Sequence, residues 1–302
     1  MCPNHRNTWP HPPPAALADG SEVPPLKNAR VFSHHGVIID AQNNLRADLS
    51  PDFRPPPSGH RVLSYRRLPA VVNLQKEAFL LPAPSSQKNY YHWLLESVPK
   101  LSHAPPEIPI LTPLSRPFHL ETLRAAGITQ NLWVELKNNS HFLVPRLHAL
   151  PPVKVSQTDI DYLRSLFFPK NLPPLSRKIY ISRRDTWRRR VRNEEALIAI
   201  LQKKGFEIHT LTELSIREQA ALFCEASHLI TPHGASLSNL VFCQKSVKVL
   251  ELFASNYCYS HYEKLAQQCG LDYHRHISLT DQGDPDFSLD LPSFEITLSA
   301  FL

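Results

Sequence analysis

The feature that most constrains this chain is a regular alternation of apolar runs and helical patterns after residue 177. The runs expected to form strands are residues 178–182, 207–211, 228–231, 247–253 and 272–279. A helical pattern separates each run from the next. Because neighbouring parallel strands need a helix-length crossover, this alternation predicts right-handed βαβ units and a parallel sheet covered on both faces. Ligands of such sheets bind outside the carboxyl ends of the strands.

The predicted helices have recognisable ends. Asn193 stands at a capping position before two glutamates, and Gly205 follows the last turn of the same helix. Ser215-Ile-Arg-Glu218 has the spacing of a capping box that opens the next helix. Two further helices are predicted over residues 235–242 and 259–269. These end signals support the alternation independently of hydrophobicity.

The N-terminal half predicts a first α/β domain built from shorter elements. Its apolar runs are Val31–Phe32, Val37–Ile39, Val71–Val72, Ile108–Leu111 and His141–Val144. A helical pattern over Leu120–Ala126 precedes Gly127, which suits the end of a helix. We therefore expect an α/β protein of two domains.

Proline usage suggests where the domains begin and end. Eleven of the 29 prolines fall within the first 57 residues, which favours extended polyproline segments there. We predict a Pro-rich segment over 1–58 that packs on a first domain, 59–155, followed by a second domain, 156–280, and a C-terminal tail, 281–302. A Pro-bounded helix at 159–168 is the expected linker.

The charge balance suits an anionic ligand. Lys and Arg total 33 and Asp and Glu total 27, and this net charge of +6 is too mild to require nucleic acid as a partner. The five cysteines are scattered, which predicts reduced thiols in a cytoplasmic protein. No apolar run approaches the roughly 18 residues that cross a bilayer. Peripheral contact with the inner face of the membrane stays open.

Arginines cluster directly after the first strand of the alternation. Ser182 and Arg183 follow that strand, and Arg188–Arg190 come a few residues later. At the carboxyl end of a strand, arginines can clamp a pyrophosphate with bidentate hydrogen bonds. A solvated basic loop is the plain alternative. A nucleic-acid surface is disfavoured because only one aromatic residue, Trp187, interleaves the arginines.

A second candidate anion site begins where strand 228–231 ends. His233 and Gly234 precede the helical pattern that starts at Ala235 and includes Ser236 and Asn239. The glycine allows close backbone approach, and the free amides at the start of a helix attract anions. The turn has a single glycine and is a weak motif by itself, and a structural histidine is the alternative for His233.

Two carboxylates and one imidazole complete the candidate set. Glu251 lies within an apolar strand, where a carboxylate is costly unless something binds it; we expect ribose hydroxyls there, with an ordinary salt bridge as the alternative. On a helix, His92 and Glu96 share a face, so the carboxylate can hold the imidazole in one tautomer. That pair is a candidate general base for a sugar hydroxyl, with a buried structural histidine as the alternative.

Together these segments resemble the glycosyltransferase 61 family. The resemblance covers roughly residues 60–275 and rests on motifs in a fixed order. These motifs are Tyr90–Glu96 (YYHWLLE), Tyr180–Arg183 with Arg190 and Asn193-Glu194, and His233–Asn239 (HGASLSN) with Glu251. It implies a GT-B fold, in which two Rossmann-like domains with parallel sheets face a central cleft. It also implies an inverting, metal-independent transfer from a nucleotide sugar, without a cofactor.

The resemblance also suggests roles for the residues. Arg183 would contact the donor diphosphate, with Ser182 and Arg190 from the same motif. The turn at His233–Ala235 would lie against the donor phosphates and Glu251 against the ribose. His92 or Glu96 would face the acceptor in the N-terminal domain.

The implied donor is a UDP-linked sugar and the implied acceptor a glycan or lipid-linked hydroxyl, as in bacterial family members. Three residues depart from the family pattern: Lys100, where arginine is common, Pro232 and Ser236. They leave the donor sugar open. A nucleotide-sugar-binding protein without catalysis is the main rival interpretation, and a basic nucleic-acid-binding module is the weaker one.

Overall fold

The computed structural model describes residues 23–50, 60–152, 155–255, 257–278 and 286–302. Most of the predicted Pro-rich segment therefore lies outside the described residues. The backbone contacts divide the chain into two compact units, with the division after Leu166. The finer domain boundaries predicted at 58, 155 and 280 stay predictions.

The first unit contains a seven-stranded sheet. Its strands are β1 (Leu26–Phe32), β2 (Val37–Ile39), β3 (Val72–Asn73), β4 (Ala78–Leu80), β5 (Ile110–Thr112), β6 (Trp133–Glu135) and β7 (His141–Ala149). They lie in the order β2-β1-β7-β4-β5-β6, and β3 also pairs with β7. Its core includes Val31, Ile38, Leu80, Leu111 and Val144. Every apolar run predicted in this half forms or overlaps a strand.

This first sheet is mixed, which corrects the expectation of parallel sheets in both domains. Strand β1 pairs antiparallel with β2 and with β7, whereas the pairs among β3 to β7 are parallel. The chain passes from β1 to β2 through a short turn that contains Gly36, whose φ is +68°. A turn of that length joins only antiparallel strands.

Helical segments of the first unit are short. They are the α-helix α1 (Pro117–Ala125), a π-helical turn (His92–Ser97) and the 3₁₀ segments Arg61–Ser64, Val98–His103 and Gln130–Leu132. Gly127, with φ +73°, follows the end of α1 as predicted. Helix α2 (Gln157–Phe167) matches the predicted linker helix and spans the division between the two units.

The second unit contains the predicted parallel sheet. Its strands are β8 (Arg177–Ile181), β9 (Phe206–His209), β10 (Ala226–Pro232), β11 (Lys248–Ala254) and β12 (Asp272–Ser278). All four pairs are parallel, in the order β12-β11-β10-β8-β9. The chain leaves β8 toward β9 on one side and then returns to place β10 on the other side. The direction of winding therefore reverses between β8 and β10.

The helices of the second unit follow the predicted alternation. They are α3 (Glu194–Lys203), α4 (Ile216–Cys224), a 3₁₀ helix (Ala235–Phe242), α5 (His261–Cys269) and α6 (Leu291–Phe301). The capping box at Ser215 and Glu218 is formed, and Gly270 ends α5 in the left-handed region. Asn193 stands at the N-cap of α3, but its side chain bonds the backbone of Leu289 instead of the helix.

The C-terminal segment is part of the second core, which differs from the tail predicted for 281–302. Phe294, Leu298 and Phe301 of α6 are buried in one apolar cluster with Leu250 and Leu252 of β11. Their spacing of three and four residues gives α6 one apolar face that must be covered. Among the described residues, no helix is both long enough and apolar enough to cross a membrane.

Candidate active site

The reversal of winding between β8 and β10 defines where a ligand is expected in the second unit. In an open parallel sheet, a crevice opens outside the carboxyl ends of the two strands whose connections diverge. Strand β8 ends at Ile181 and β10 ends at Pro232. Ser182-Arg183 and His233-Gly234 therefore leave the sheet side by side. The fold brings together two motifs that lie 51 residues apart in the sequence.

The guanidinium of Arg183 packs directly against Gly234. A Cβ atom built on Gly234 would lie 2.7 Å from Cζ of Arg183 and closer still to Nη1. The backbone of Gly234 is extended, with φ 177°, so conformation does not demand glycine here. Glycine is required because a side chain at this position would displace the guanidinium of Arg183. The predicted convergence of Arg183 with the start of the 235–242 helix is confirmed.

Arg183 is a buried cation with hydrogen-bonding capacity to spare. It is 8% exposed, and its Nη2 donates to the carbonyl of Arg188 at 3.1 Å. Its Nε is buried without a partner, and within the described residues Arg183 forms no ion pair with a carboxylate. Burial lowers its pKa to about 10, so it stays charged at neutral pH. An unpaired buried charge of this kind is expected where an anion binds.

Arg189 joins this site, whereas Arg190 does not. Arg190 bonds Asp286 through its backbone NH and through Nε, at 2.9 and 3.0 Å. In the part of the chain that the structure describes, the buried Nε of Arg189 has no partner, and its charge helps to lower the pKa of both Arg183 and His233. Its φ of +59° is uncommon for a residue with a side chain. The site residue predicted at 190 is therefore better assigned to its neighbour.

The start of the 3₁₀ helix adds further polar groups. Ala235 and Ser236 are partly exposed, and the buried hydroxyl oxygen of Ser236 has no partner within the described ranges. Amides in the first turn of a helix lack intrahelical acceptors. Asn239 is different, because it is fully buried and its amide donates to Gln219 at 2.8 Å. The structure thus shows Asn239 bonded within the protein, and its contact with a donor stays a prediction.

Ser182 is also held by the backbone around it. It is 2% exposed, and its hydroxyl accepts a hydrogen bond from the backbone NH of Arg184 at 3.1 Å. This contact shapes the turn that leaves β8. Ser182 therefore lies beside the site and positions Arg183 through the chain.

Glu251 forms a buried polar triad with His233 and Tyr273. Its Oε1 bonds Nδ1 of His233, and its Oε2 accepts from the hydroxyl of Tyr273 at 2.6 Å. Glu251 has no exposed surface, and only 4% of His233 is exposed. Alternation along β11 puts Glu251 and Phe253 on the face opposite Leu250 and Leu252. Glu251 was predicted to bind a ribose, but both of its carboxylate oxygens are already bonded within the protein.

Burial sets the protonation of this triad. It raises the pKa of Glu251 to about 8, although the hydrogen bond from Tyr273 acts in the opposite direction. It lowers the pKa of His233 to about 3, with Arg189 and Arg183 acting in the same direction. Burial and the adjacent Glu251 raise the pKa of Tyr273 well above its ordinary value. The pair of Glu251 and His233 therefore keeps one proton between its bonded atoms at neutral pH.

An aromatic cluster surrounds His233. Its members are Phe253, Tyr257, Tyr259, His261 and Tyr262, with ring centroids 5.1 to 6.1 Å from that of His233. The guanidinium carbon of Arg189 lies 5.0 Å from the centroid of Tyr257. None of these rings was predicted as part of the site. Their dense spacing after the strand that carries Glu251 is the signal that could have indicated them.

The candidate base lies in the first unit. Nδ1 of His92 lies 2.7 Å from Oε2 of Glu96, and the two side chains are 20% and 25% exposed. The neighbouring Trp93 is fully buried, and its indole NH donates to Thr122 at 3.0 Å. The predicted pairing is confirmed, and the buried neighbours anchor the segment that carries it.

The helix that carries this pair is π-helical instead of α-helical. The NH of Val98 bonds the carbonyl of Trp93, a spacing of five residues. Pro99 explains the wide turn, since proline lacks an NH and its ring clashes with the carbonyl four residues before it. A π-turn avoids that clash, and such turns are frequent at functional sites.

Lys100 follows the pair and is almost completely buried, at 4% exposed. Burial lowers its pKa to about 8, while the charge of Glu96 raises it. Lys100 therefore adds a second polar group close to the candidate base. Sequence analysis noted it only as a departure from the family pattern.

Comparison with known families agrees with this arrangement. The profile described as Glycosyltransferase 61 matches residues 90–250, more than half of the chain, and this span includes His92, Arg183 and His233. No curated protein matches the chain. The order of the motifs, the meeting of the Arg183 and Gly234 motifs at the edge of a parallel sheet and the extent of the match lead to one conclusion. The chain belongs to the glycosyltransferase 61 family and is a glycosyltransferase.

Proposed function

We propose that this glycosyltransferase moves a sugar from a nucleotide-diphosphate donor to a hydroxyl acceptor, with inversion and without a metal ion. The observation that carries the proposal is the guanidinium of Arg183, which is buried against Gly234 at the carboxyl end of the second sheet and whose Nε has no partner among the described residues. The departing diphosphate is the anion that would complete its hydrogen bonding. Such preorganised positive groups stabilise charge that develops in the transition state.

The second unit offers enough positive charge to take the place of a metal ion. Among the described residues, no partner is found for the buried Nε of Arg183, the buried Nε of Arg189 or the hydroxyl of Ser236. The free amides at the start of the 235–242 helix add partial positive charge. Together these groups would bind the donor phosphates and the leaving diphosphate.

The sequence contains two Asp-x-Asp triplets, which bear on whether the enzyme uses a metal ion. In the other glycosyltransferase architecture this pattern binds a metal. The triplets are Asp159–Asp161 and Asp284–Asp286. Asp159 accepts from the NH and hydroxyl of Ser156 at the start of α2, and Asp286 bonds Arg190. Asp284 lies outside the described residues. The contacts of Asp159 and Asp286 support local structural roles for them.

On the acceptor side we assign the base to His92. Donation of Nδ1–H to Glu96 would place the lone pair of His92 on Nε2, the atom that would take the proton of the acceptor. The acceptor oxygen would attack the anomeric carbon as its proton passes to Nε2, and the bond from that carbon to the diphosphate oxygen would break. Attack opposite the leaving group inverts the anomeric centre. Glu96 would stabilise the imidazolium that forms.

We reassign Glu251 from ribose binding to positioning His233. Its carboxyl oxygens already bond His233 and Tyr273, so a ribose would have to displace a buried partner. The proton shared with Glu251 fixes which nitrogen of His233 is bonded inside the protein. The other nitrogen, Nε2, is then the atom of His233 that can meet the donor.

The remaining parts of the proposal rest on family membership. We propose a GT-B arrangement of two Rossmann-like domains around a cleft, a UDP-linked donor, and a glycan or lipid-linked acceptor. We also propose that the enzyme works in the cytoplasm, with peripheral contact at the inner face of the membrane. A screen of UDP- and GDP-sugars by thermal shift would identify the donor, because a ligand of the native state raises its stability.

The decisive test measures donor binding and turnover in Arg183→Ala. We expect turnover to fall by about 100-fold or more, the size of effect seen when one charge-stabilising donor is removed, with binding of UDP clearly weakened. The control is Arg46→Ala, a surface arginine paired with Asp48. Unchanged kinetics in Arg183→Ala would refute the proposal.

Two further results bear on the reaction itself. Turnover should persist in EDTA, and a loss restored by Mn²⁺ would contradict the metal-free mechanism. Tight binding of a nucleotide sugar without turnover on any glycan or lipid-linked acceptor would favour a binding protein over an enzyme.

A further inference from the structure

The aromatic cluster around His233 presents one open ring next to the proposed phosphate site. Tyr259 is 52% exposed, whereas Phe253 and Tyr262 are buried. An exposed aromatic face at the edge of a packed ring cluster is a surface on which a flat ligand can stack. This observation plays no part in the phosphate contacts or in the proton transfer described above.

The ring of Tyr259 is supported on its inner side. It lies within 28° of parallel to the ring of His233, with centroids 6.1 Å apart. Tyr257 meets it edge-on, with centroids 4.7 Å apart. His233 in turn stacks on Phe253 at 5.1 Å. Tyr259 is therefore the outermost member of a stack that begins at β11.

The cluster is joined to the phosphate site through Arg189. The guanidinium carbon lies over the ring of Tyr257 at 5.0 Å, while Nε of the same residue is buried without a partner. Arg189 thus belongs to the proposed phosphate site and also contacts Tyr257, which packs against Tyr259. A ligand that reaches both must combine an anionic group with a flat ring.

We propose that Tyr259 is the platform on which the nucleobase of the donor stacks. This inference rests on the proposed function, because the nucleobase, ribose and diphosphate form one continuous ligand. A nucleobase supplies the flat ring and its diphosphate supplies the anion. Stacking on an aromatic side chain tolerates different bases, since each base presents a π-face. A sugar ring of the acceptor could cover Tyr259 as well, but it carries no anion for Arg189.

The test separates the base from the phosphates by measuring two ligands by calorimetry. The probes are inorganic pyrophosphate and whichever of UDP, GDP, CDP and dTDP the wild type binds most tightly. In Tyr259→Ala we expect nucleotide affinity to fall between about 5-fold and 150-fold, the range for losing one base–aromatic stack. Pyrophosphate affinity should stay unchanged. Tyr259→Phe keeps the ring and should bind the nucleotide within about threefold of wild type.

The matched control is Tyr65→Ala, which removes a tyrosine of similar exposure, 50%, in the first unit. Equal nucleotide affinity in Tyr259→Ala and wild type would overturn the inference, and so would an equal loss for nucleotide and pyrophosphate. An increased KM for the acceptor with unchanged nucleotide binding would assign the ring to the acceptor instead. If the wild type binds neither a nucleotide nor pyrophosphate, the proposed function itself fails.

Discussion

Each unit of this glycosyltransferase contains a histidine bonded through Nδ1 to a glutamate, and burial distinguishes the two pairs. His92 and Glu96 lie one turn apart on a helical segment, and about a fifth to a quarter of each side chain is exposed. His233 directly follows β10, Glu251 lies within the neighbouring strand β11, and their side chains are 5% and 0% exposed. The same contact is therefore placed in two very different environments.

The difference teaches what each pair can do. A histidine that acts as a base must give its proton to water after each turnover, and His92 has the exposure to do so. His233 is enclosed by rings, and burial lowers its pKa to about 3, so it resists taking a second proton. The buried pair is suited to fixing geometry and the exposed pair to moving a proton. The predictions below test that division.

The largest expected effect is on turnover in His92→Ala. Loss of a general base typically lowers kcat by about 100-fold to 10,000-fold, while affinity for the donor nucleotide should stay unchanged. The control is His148→Ala, because His148 bonds Glu77 at 2.9 Å and is also 20% exposed. Steady-state kinetics and calorimetry on both variants separate the two quantities. Unchanged kcat in His92→Ala would end the case for it as the base.

A smaller effect, on stability, is expected from Glu251→Ala. The change leaves the hydroxyl of Tyr273 and Nδ1 of His233 buried without their partner, which should lower the free energy of unfolding by about 3 kcal/mol. Removing the surface partner in Glu77→Ala should cost less than about 1 kcal/mol. Urea denaturation measures both. Equal losses would mean that burial does not distinguish the two pairs.

The pH dependence sharpens this comparison. The pKa of Glu251 is raised to about 8, so folding favours its protonated form. That contribution is present below the ordinary value near 4.5 and is lost as the pH rises to about 8. The stability of the wild type relative to Glu251→Gln should therefore fall between about pH 4.5 and 8 and level off above. A flat difference across this range would contradict the raised pKa.

The smallest expected effect comes from Tyr273→Phe, which removes one hydrogen bond and keeps the ring. We expect about 1 kcal/mol of lost stability, measured by urea denaturation with an unchanged m-value. Tyr65→Phe, which changes a half-exposed tyrosine of the first unit, is the control. A loss no larger than that of the control would remove Tyr273 from the triad.

The sequence predicts the second unit better than the first for a physical reason. Strands β8 to β12 alternate with helices, so hydrophobic period and end signals determine each element locally. The antiparallel pairing of β1 with β2 and β7 depends on contacts between distant segments. The wide π-turn at His92 depends on how the chain accommodates Pro99. Neither can be read from periodicity.

The site residues divide along the same line. Arg183 and Gly234 could be predicted because both directly follow strands, and strand ends meet at one edge of a parallel sheet. The choice between Arg189 and Arg190 could not be predicted, since the carboxylate of Asp286, which bonds the side chain of Arg190, lies almost a hundred residues away. Tyr273 escaped notice because its contact with Glu251 depends on the order of neighbouring strands.

The absence of a side chain at Gly234 has a practical meaning. The guanidinium of Arg183 occupies the space that a side chain at position 234 would fill, so the two residues form one binding element although they are distant in the sequence. Even one added methyl group would act as a wedge that moves the guanidinium without altering the net charge. Anyone redesigning the donor pocket must treat the two positions jointly. A search for unrelated chains with similar chemistry should look for this spatial couple instead of a glycine-rich signature.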